Sequence, residues 1–207
     1  MPRHVIIHAA VSLDGATSGF QPDVARFYEI ATRWSEDVTL AGADTILAQE
    51  PALADTPRPG PAPDGPLLAV VDSRRRVSEW EALRDCGHWR DVAALRAAGR
   101  ADGQGFPREI VTGGDRVDLT AALAQLGGDI VRVDSGGALN GALLREGLVD
   151  EISLLVHPCI IGHEQPRWYG AATPASLETI DAETLDGGLA WLRYRVVGGV
   201  ATSDPQP

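Results

Sequence analysis

Short apolar runs alternate with stretches of helical spacing along most of the chain. Val5–Val11, Val38–Gly42 and Leu67–Val71 are aliphatic, rich in β-branched residues and followed by turn-forming or helix-starting sequence, which predicts buried strands. Asp91–Leu95, Arg108–Thr112, Ile130–Val133 and Glu151–His157 read the same way, the last closed by Pro158. Helical spacing fills the gaps. From Asp23, a residue suited to capping, Val24, Phe27, Tyr28, Ala31 and Trp34 recur on one face up to about Asp37, and the pattern assigns the aromatics to the core. Ala43–Gln49 forms a short helix that Glu50-Pro51 is expected to stop, because proline disfavours helical geometry in the residue before it. Leu119, Ala122, Leu123 and Leu126 define a helix ending at Gly127-Gly128, and Leu139, Ala142 and Leu143 define another ending near Gly147. Leu189–Val197 alternates like a half-exposed strand, while residues 51–66 read as an exposed loop and residues 97–107 give no firm pattern.

Strands alternating with helices, and then strands alone, predict an α/β sandwich on a mainly parallel sheet with antiparallel strands added late. Ligands of such sheets bind beyond the carboxyl ends of the strands. Asp14-Gly15, Gly42–Thr45, Asp72-Ser73 and Asp134–Asn140 all follow such ends, so one cleft can gather them. In the last segment a strand runs into Gly136-Gly137 and then a helix. Glycine there lets backbone approach a ligand, and the unpaired N–H groups of the helix start suit a phosphate, unless the glycines only connect strand to helix.

Composition narrows the options. The 207 residues, 44% of them hydrophobic, fit one domain over 1–199 with a flexible tail at 200–207. No apolar run reaches the ~20 residues of a membrane span, and Met1–His4 leads into a strand without a signal-peptide core, so a cytoplasmic protein without a membrane partner is expected. A formal charge of −11 argues against nucleic acid, and any anionic ligand needs local donors such as helix starts or Arg74-Arg75-Arg76, a triplet that otherwise is a solvated turn. Cys86 and Cys159 are read as free thiols. His157, Cys159, His163 and Glu164 have metal-ligating types but lack a second strong ligand pair, so no metal is assigned. His8, inside an apolar strand, reads as a hydrogen-bonded core or cleft-lining residue.

Five segments, in order, resemble the pyrimidine reductase of riboflavin biosynthesis, the C-terminal domain of a deaminase/reductase and a member of the dihydrofolate-reductase-like superfamily. They are Ser12–Gly15, Gly42–Leu47 with Glu50-Pro51, Val70–Ser73, Asp134–Asn140 and Glu146–Glu151. The resemblance implies a three-layer α/β/α sandwich that binds NADPH and passes hydride to the sugar carbon of a ribosylaminopyrimidine. It implies cofactor contacts at Thr45, Gln49, Ser73, Arg74, Gly113, Gly136, Gly137, Ala138, Leu139 and Asn140, and a role for one or more of the three arginines at the 2′-phosphate. On the substrate side it implies Ser12, Asp14 and Asp134, with Asp134 as the residue that orients substrate or handles a proton. Asp14 and Asp134 each have a plainer reading as turn residues. Ala16, Gln49 and Asp134 depart from the family pattern, which usually has a basic residue after the Asp-Gly turn, an acid two positions before the proline and Glu before the glycines. Another pterin, carbonyl or imine substrate, or a non-catalytic NADP-binding role, are the competing expectations. A homodimer through the tryptophan-bearing terminal strand is also implied.

Overall fold

The computed structural model describes residues 3–53, 56–100 and 105–199. A nine-stranded sheet carries the fold, ordered β5-β4-β3-β2-β6-β1-β7-β9-β8. Its parallel part comprises β1 (His4–Ser12), β2 (Val38–Gly42), β3 (Leu67–Val71), β4 (Asp91–Arg96), β5 (Arg108–Val111), β6 (Ile130–Val133) and β7 (Glu151–His157). Two antiparallel strands, β8 (Ala175–Thr184) and β9 (Ala190–Gly199), extend it beyond β7.

Apart from the edge strand β5, the parallel strands are largely buried on both faces, and alternate residues feed different cores. Val5, Ile7, Val38, Leu40, Leu67, Ala69, Ala93 and Leu95 pack with α4 (Leu119–Leu126) and α5 (Gly137–Arg145). On the other face Leu68, Val70, Val92 and Ala94 meet α2 (Ala43–Leu53) and α3 (Trp80–Asp85). Ile6 and Leu155 meet α1 (Val24–Ala31) and the tight turn Thr32–Trp34. Period-two alternation inside these apolar runs thus produces three layers, the α/β/α sandwich expected.

β6 enters the sheet between β1 and β2, although the chain visits it last of the three. Its carboxyl end, which opens into Ser135-Gly136-Gly137, therefore lies mid-sheet where strand order reverses, the position at which open α/β sheets bind ligands.

Several elements differ from the sequence reading. Tyr28 is not a core residue: it is 45% exposed, because the α1 face toward the sheet runs through Phe27, Ile30 and Ala31. α2 continues through Pro51 to Leu53. The missing N–H falls in the last turn, and Thr56 accommodates the end, its Oγ1 donating to the Ala52 carbonyl at 2.8 Å. α3 spans under two turns and β8 is largely exposed, so neither leaves a strong pattern. Register shifts in β8 between Ser176 and Leu177 and between Thr179 and Asp181 also break the two-residue period. The tail at 200–207 lies outside the described residues.

Candidate active site

Two compartments open at the carboxyl ends of the central strands. The larger, a trench of about 680 Å³, is walled by the ends of β2, β3 and β6 and the starts of α2 and α5. Gly42, Thr45, Ser73, Arg74 and the run Ser135–Leu139 line it. The smaller, about 340 Å³, lies between α1 and α2 and is lined by His8, Phe27, Tyr28, Gln49 and Asp134. Thr17, Thr45, Ser135 and Gly136 belong to both linings, so the compartments meet there.

Local bonds fix this shared wall. The Ser135 hydroxyl accepts from Gly42 N at 3.1 Å and lies 3.4 Å from Thr45 Oγ1. A Cβ on Gly42 would stand 2.9 Å from Ser135 Oγ, so glycine there keeps β2 and the β6 turn in contact. The turn then approaches the segment after β7 closely. A Cβ on Gly137 would collide with the Arg167 carbonyl and lie 2.8 Å from Gly170 N. At Gly136 a Cβ would meet nothing within 4 Å.

That open space is the test of fit for a dinucleotide. Gly136 is the N-cap of α5 and supplies no side-chain cap, so the first-turn N–H groups are left for a ligand, with the helix dipole favouring anions. Residues Gly136–Leu139 line the trench on one side, while Gly137 packs behind against the segment after β7 and Leu139 against the core. The residues present fit a diphosphate.

The arginine triplet divides. Asp72, buried after β3, accepts from Arg76 N and Val77 N at 3.0 Å each and from Arg96 Nη1 at 2.7 Å. Against the penalty of its burial, these bonds hold its carboxyl below the usual range. Arg75 adopts a left-handed φ of 56° and pairs with Glu109 at 3.1 Å, while Arg74 and Arg76 line the trench. Arg76 also bridges to Asp44 on α2 at 2.6 Å.

Beneath the smaller cavity lies a buried charge cluster. Arg132, 3% exposed, binds Glu36 at 2.7 Å and reaches Asp134 only at 3.4 Å. Asp134 keeps 23% of its side-chain surface open. Burial pushes its carboxyl above the ordinary value, Arg132 opposes this, and repulsion from Glu36 adds to it. Burial and the charge of Asp134 likewise raise the Tyr28 phenol. His8 stacks on Phe27 with ring centroids 4.2 Å apart. Its Nε2–H donates to the Phe27 carbonyl at 3.1 Å, so Nδ1 accepts from the Ser153 hydroxyl at 2.9 Å, which in turn accepts from Trp191 Nε1 at 2.8 Å. Burial lowers the imidazole to about 4, and His8 is a neutral structural residue at the back of the cavity.

Of the residues singled out from sequence, Thr45, Ser73, Arg74, Gly136, Gly137, Ala138 and Leu139 line the trench; Gln49 and Asp134 line the second cavity. Four lie in neither lining. Asn140 is fully buried and donates through Nδ2 to the carbonyls of Ser135 at 3.0 Å and Trp168 at 2.9 Å, holding the turn from behind. Gly113, at φ 72°, permits the tight turn that brings Arg116 to the trench. Ser12 Oγ donates to Asp14 at 2.6 Å, and Asp14 also accepts from Ile161 N, Gly162 N and Arg167. The Ser12 hydrogen bond, then that from Ile161 N, holds Asp14 far below its ordinary value. Ser12 and Asp14 thus do turn chemistry that ties β1 to the segment after β7. His157 is held between Asp23 N at 2.9 Å and the carbonyls of Val11 and Leu155. Sequence reasoning missed Thr17, Tyr28 and Arg116 and gave Ser135 no role of its own. Ser135 sits inside the glycine motif already singled out; the others are assembled by tertiary packing alone.

A switch-point trench at an uncapped helix start, joined to a small side cavity holding a carboxyl, is the ligand site of an α/β protein. The profile of the RibD C-terminal domain matches residues 3–190, and the chain belongs to that family, making it a reductase of the riboflavin-biosynthesis type. A relative from Methanothermobacter thermautotrophicus is named 2,5-diamino-6-ribosylamino-4(3H)-pyrimidinone 5′-phosphate reductase; it is 31% identical over 190 residues, 81% of this chain and 83% of its own length. An Archaeoglobus fulgidus protein of the same name is 31% identical over 78% of this chain and 83% of its own length. A pyrimidine reductase-like protein of Corynebacterium diphtheriae superposes with a TM-score of 0.71 at 17% identity, covering 95% of this chain and 92% of that one, a likeness of fold.

Proposed function

We propose that the protein is an NADPH-dependent reductase that transfers hydride to the sugar carbon of a ribosylaminopyrimidine. The observation that carries this is the shared wall: a diphosphate-sized trench and a heterocycle-sized cavity meet at Thr45, Ser135 and Gly136. The names of the 31% identical relatives support the substrate class. NADPH, when bound, supplies the hydride. The first turn of α5 holds the diphosphate. Arg74 and Arg76 hold the 2′-phosphate, whose oxygens suit guanidinium forks. Phe27 and Tyr28 flank the acceptor in the smaller cavity. Asp134, whose carboxyl burial pushes above its ordinary value, lines the cavity and is the group placed to deliver a proton to the heteroatom beside the reduced carbon.

We also place the protein in the cytoplasm as a homodimer. β8 and β9 form the outer edge of the sheet and expose the apolar side chains of Leu177, Ile180 and Val197, which a second copy could cover; light scattering would test this. For the activity, purified protein is titrated with NADPH and NADH, and reduced-nicotinamide absorbance is followed on adding acceptor. Tight binding of NADPH over NADH and acceptor-dependent oxidation are expected. Absence of both binding and thermal stabilisation by NADPH contradicts the reading.

A further inference from the structure

One buried guanidinium serves two carboxyl groups. Arg132, on β6, stands beside Thr39 of β2 in the sheet register, and Glu36 reaches it from the segment before β2. Arg132 Nε donates to Glu36 Oε1 at 2.7 Å, while its Nη1 reaches Asp134 Oδ2 at 3.4 Å. Thr39 Oγ1 donates to the same Glu36 oxygen at 3.3 Å and accepts from Arg132 Nη2 at 3.4 Å, which braces the pair. The shorter contact takes the charge. Glu36 neutralises Arg132, and Asp134 is left with one long bond on the wall of the smaller cavity. Because Arg132 and Glu36 are both largely buried, water screens their charges little.

The neighbouring elements add little charge of their own. His8 on β1 stays neutral, both ring nitrogens being committed. Burial and the charge of Asp134 hold the Tyr28 phenol on α1 above its ordinary value, and α2 presents the uncharged Gln49 amide. Arg74 and Arg76 line the trench and not this cavity. The charges that act on the Asp134 carboxyl are therefore those of Arg132, which favours its ionised form, and Glu36, which opposes it.

We propose that Glu36 is a positioning residue for the proton donor: by holding Arg132 it keeps the guanidinium off Asp134 and leaves that carboxyl free to carry the proton the reaction consumes. This rests on the donor role given to Asp134 above. Two carboxylates around one buried cation leave a negative charge without a partner, and the cluster avoids this when one of them is protonated. Asp134 has the weaker hold on the arginine, so the proton resides there. In the step, hydride adds to the sugar carbon of the ring-opened imine, the Asp134 proton goes to the adjoining nitrogen, the C=N bond becomes C–N, and NADPH is oxidised to NADP⁺. Arg132, 3.4 Å away, then stabilises the Asp134 carboxylate until solvent returns a proton.

Carbon-13 NMR of the Asp134 carboxyl in ligand-free, full-length protein, assigned by its loss in Asp134→Asn, reads the effect directly, and the pH profile of kcat reads its consequence. Glu36→Gln removes the competing charge at nearly constant shape. Arg132 then pairs with Asp134, the titration midpoint moves to lower pH, and turnover above that midpoint falls about tenfold or more below the parent's. Glu36→Asp keeps the charge and restores most of both. Glu36→Gln combined with Arg132→Met removes both charges, and the midpoint moves to higher pH, because Arg132 acts on Asp134 more strongly than Glu36 does. A packing defect alone would not send the single and double variants in opposite directions. The double variant leaves neither ion of the buried pair in place and carries the test if Glu36→Gln does not fold. Opposite movements support the proposal. A midpoint that stays put in either variant, or moves the same way in both, overturns it while Asp134 keeps its role as donor. An Asp134→Asn protein as active as the parent overturns the donor role and this inference with it.

Discussion

Adjacent glycines in the β6–α5 turn should respond in opposite ways to one added methyl group. At Gly137, the first residue of α5, alanine would on helix propensity alone stabilise by about 0.8–1 kcal/mol. The surroundings reverse the sign. The new Cβ meets the Arg167 carbonyl and lies 2.8 Å and 2.9 Å from Gly170 N and Cα, all backbone that cannot rotate away. That backbone is tied down, since Trp168 N donates to Gly15 O at 3.0 Å and Asn140 Nδ2 to Trp168 O at 2.9 Å. Overpacking costs about 1–3 kcal/mol and loss of the Asn140 bond about 1 kcal/mol, so Gly137→Ala should be destabilised by about 1–3 kcal/mol net. For a domain of this size that lowers Tm by roughly 3–10 °C. At Gly136 the added methyl meets nothing within 4 Å and enters only the trench. Gly136→Ala should keep the ligand-free Tm within about 3 °C of the parent, allowing for the poorer alanine cap, yet lose most of the stabilisation given by NADPH. Thermal unfolding of the three proteins with and without NADPH measures both effects. A Gly136→Ala protein that keeps the full NADPH shift, or a Gly137→Ala protein as stable as the parent, refutes the reasoning.

Further consequences follow from the charged groups. Arg74→Ala and Arg76→Ala should each raise the KM for NADPH about tenfold or more while changing that for NADH little, and equal losses for both dinucleotides would remove the arginines from the 2′-phosphate. Asp134→Asn keeps the shape but not the acid, so kcat should fall about 10²–10⁴-fold, with the fall in parent rate at rising pH absent from the variant's profile; an unchanged rate excludes the proton-donor role. Because Asp134 is raised in the folded protein, its contribution to stability is present at low pH and lost as pH rises through the folded value, and Asp134→Asn should therefore be the more stable protein at neutral pH by chemical denaturation. His8 has the opposite sign. Its folded value of about 4 against 6.5 means stability is full above pH 6.5 and falls toward pH 4, by about 3 kcal/mol in all; an equally pH-dependent His8→Gln variant would assign that loss elsewhere.

Much of this architecture is legible in the sequence because its cause is local. The central parallel strands β1, β2 and β3 are buried on both faces and so appear as largely apolar runs, and α4 and α5 are bounded by Asp118, whose side chain accepts from Ala121 N, and by Gly127 and Gly136, all of them local signals. β8 escapes notice because solvent covers much of it and its bulges break the alternation. The trench is likewise readable from the turns that follow β2, β3 and β6, since each strand end must lie at the same edge of a parallel sheet. The second cavity is not. Tyr28 and core residue Phe27 are neighbours in the chain, and only the angle at which α1 meets β1 turns one toward the cavity mouth. Asp14 and Asp134 look alike as acids in turns, yet one is saturated by four hydrogen bonds and the other has a single long contact to an arginine that Glu36 holds more closely. The partners that decide between them lie up to 153 positions away.

A dinucleotide in the trench should meet its acceptor at the wall shared by the two compartments. A crystal structure with NADP⁺ tests it most directly. The expected density places the diphosphate on the first turn of α5, the 2′-phosphate against Arg74 and Arg76, and the nicotinamide beside Ser135 and Thr45, facing the cavity that holds Asp134. A dinucleotide bound in the reverse direction, or one whose nicotinamide lies away from that cavity, contradicts it.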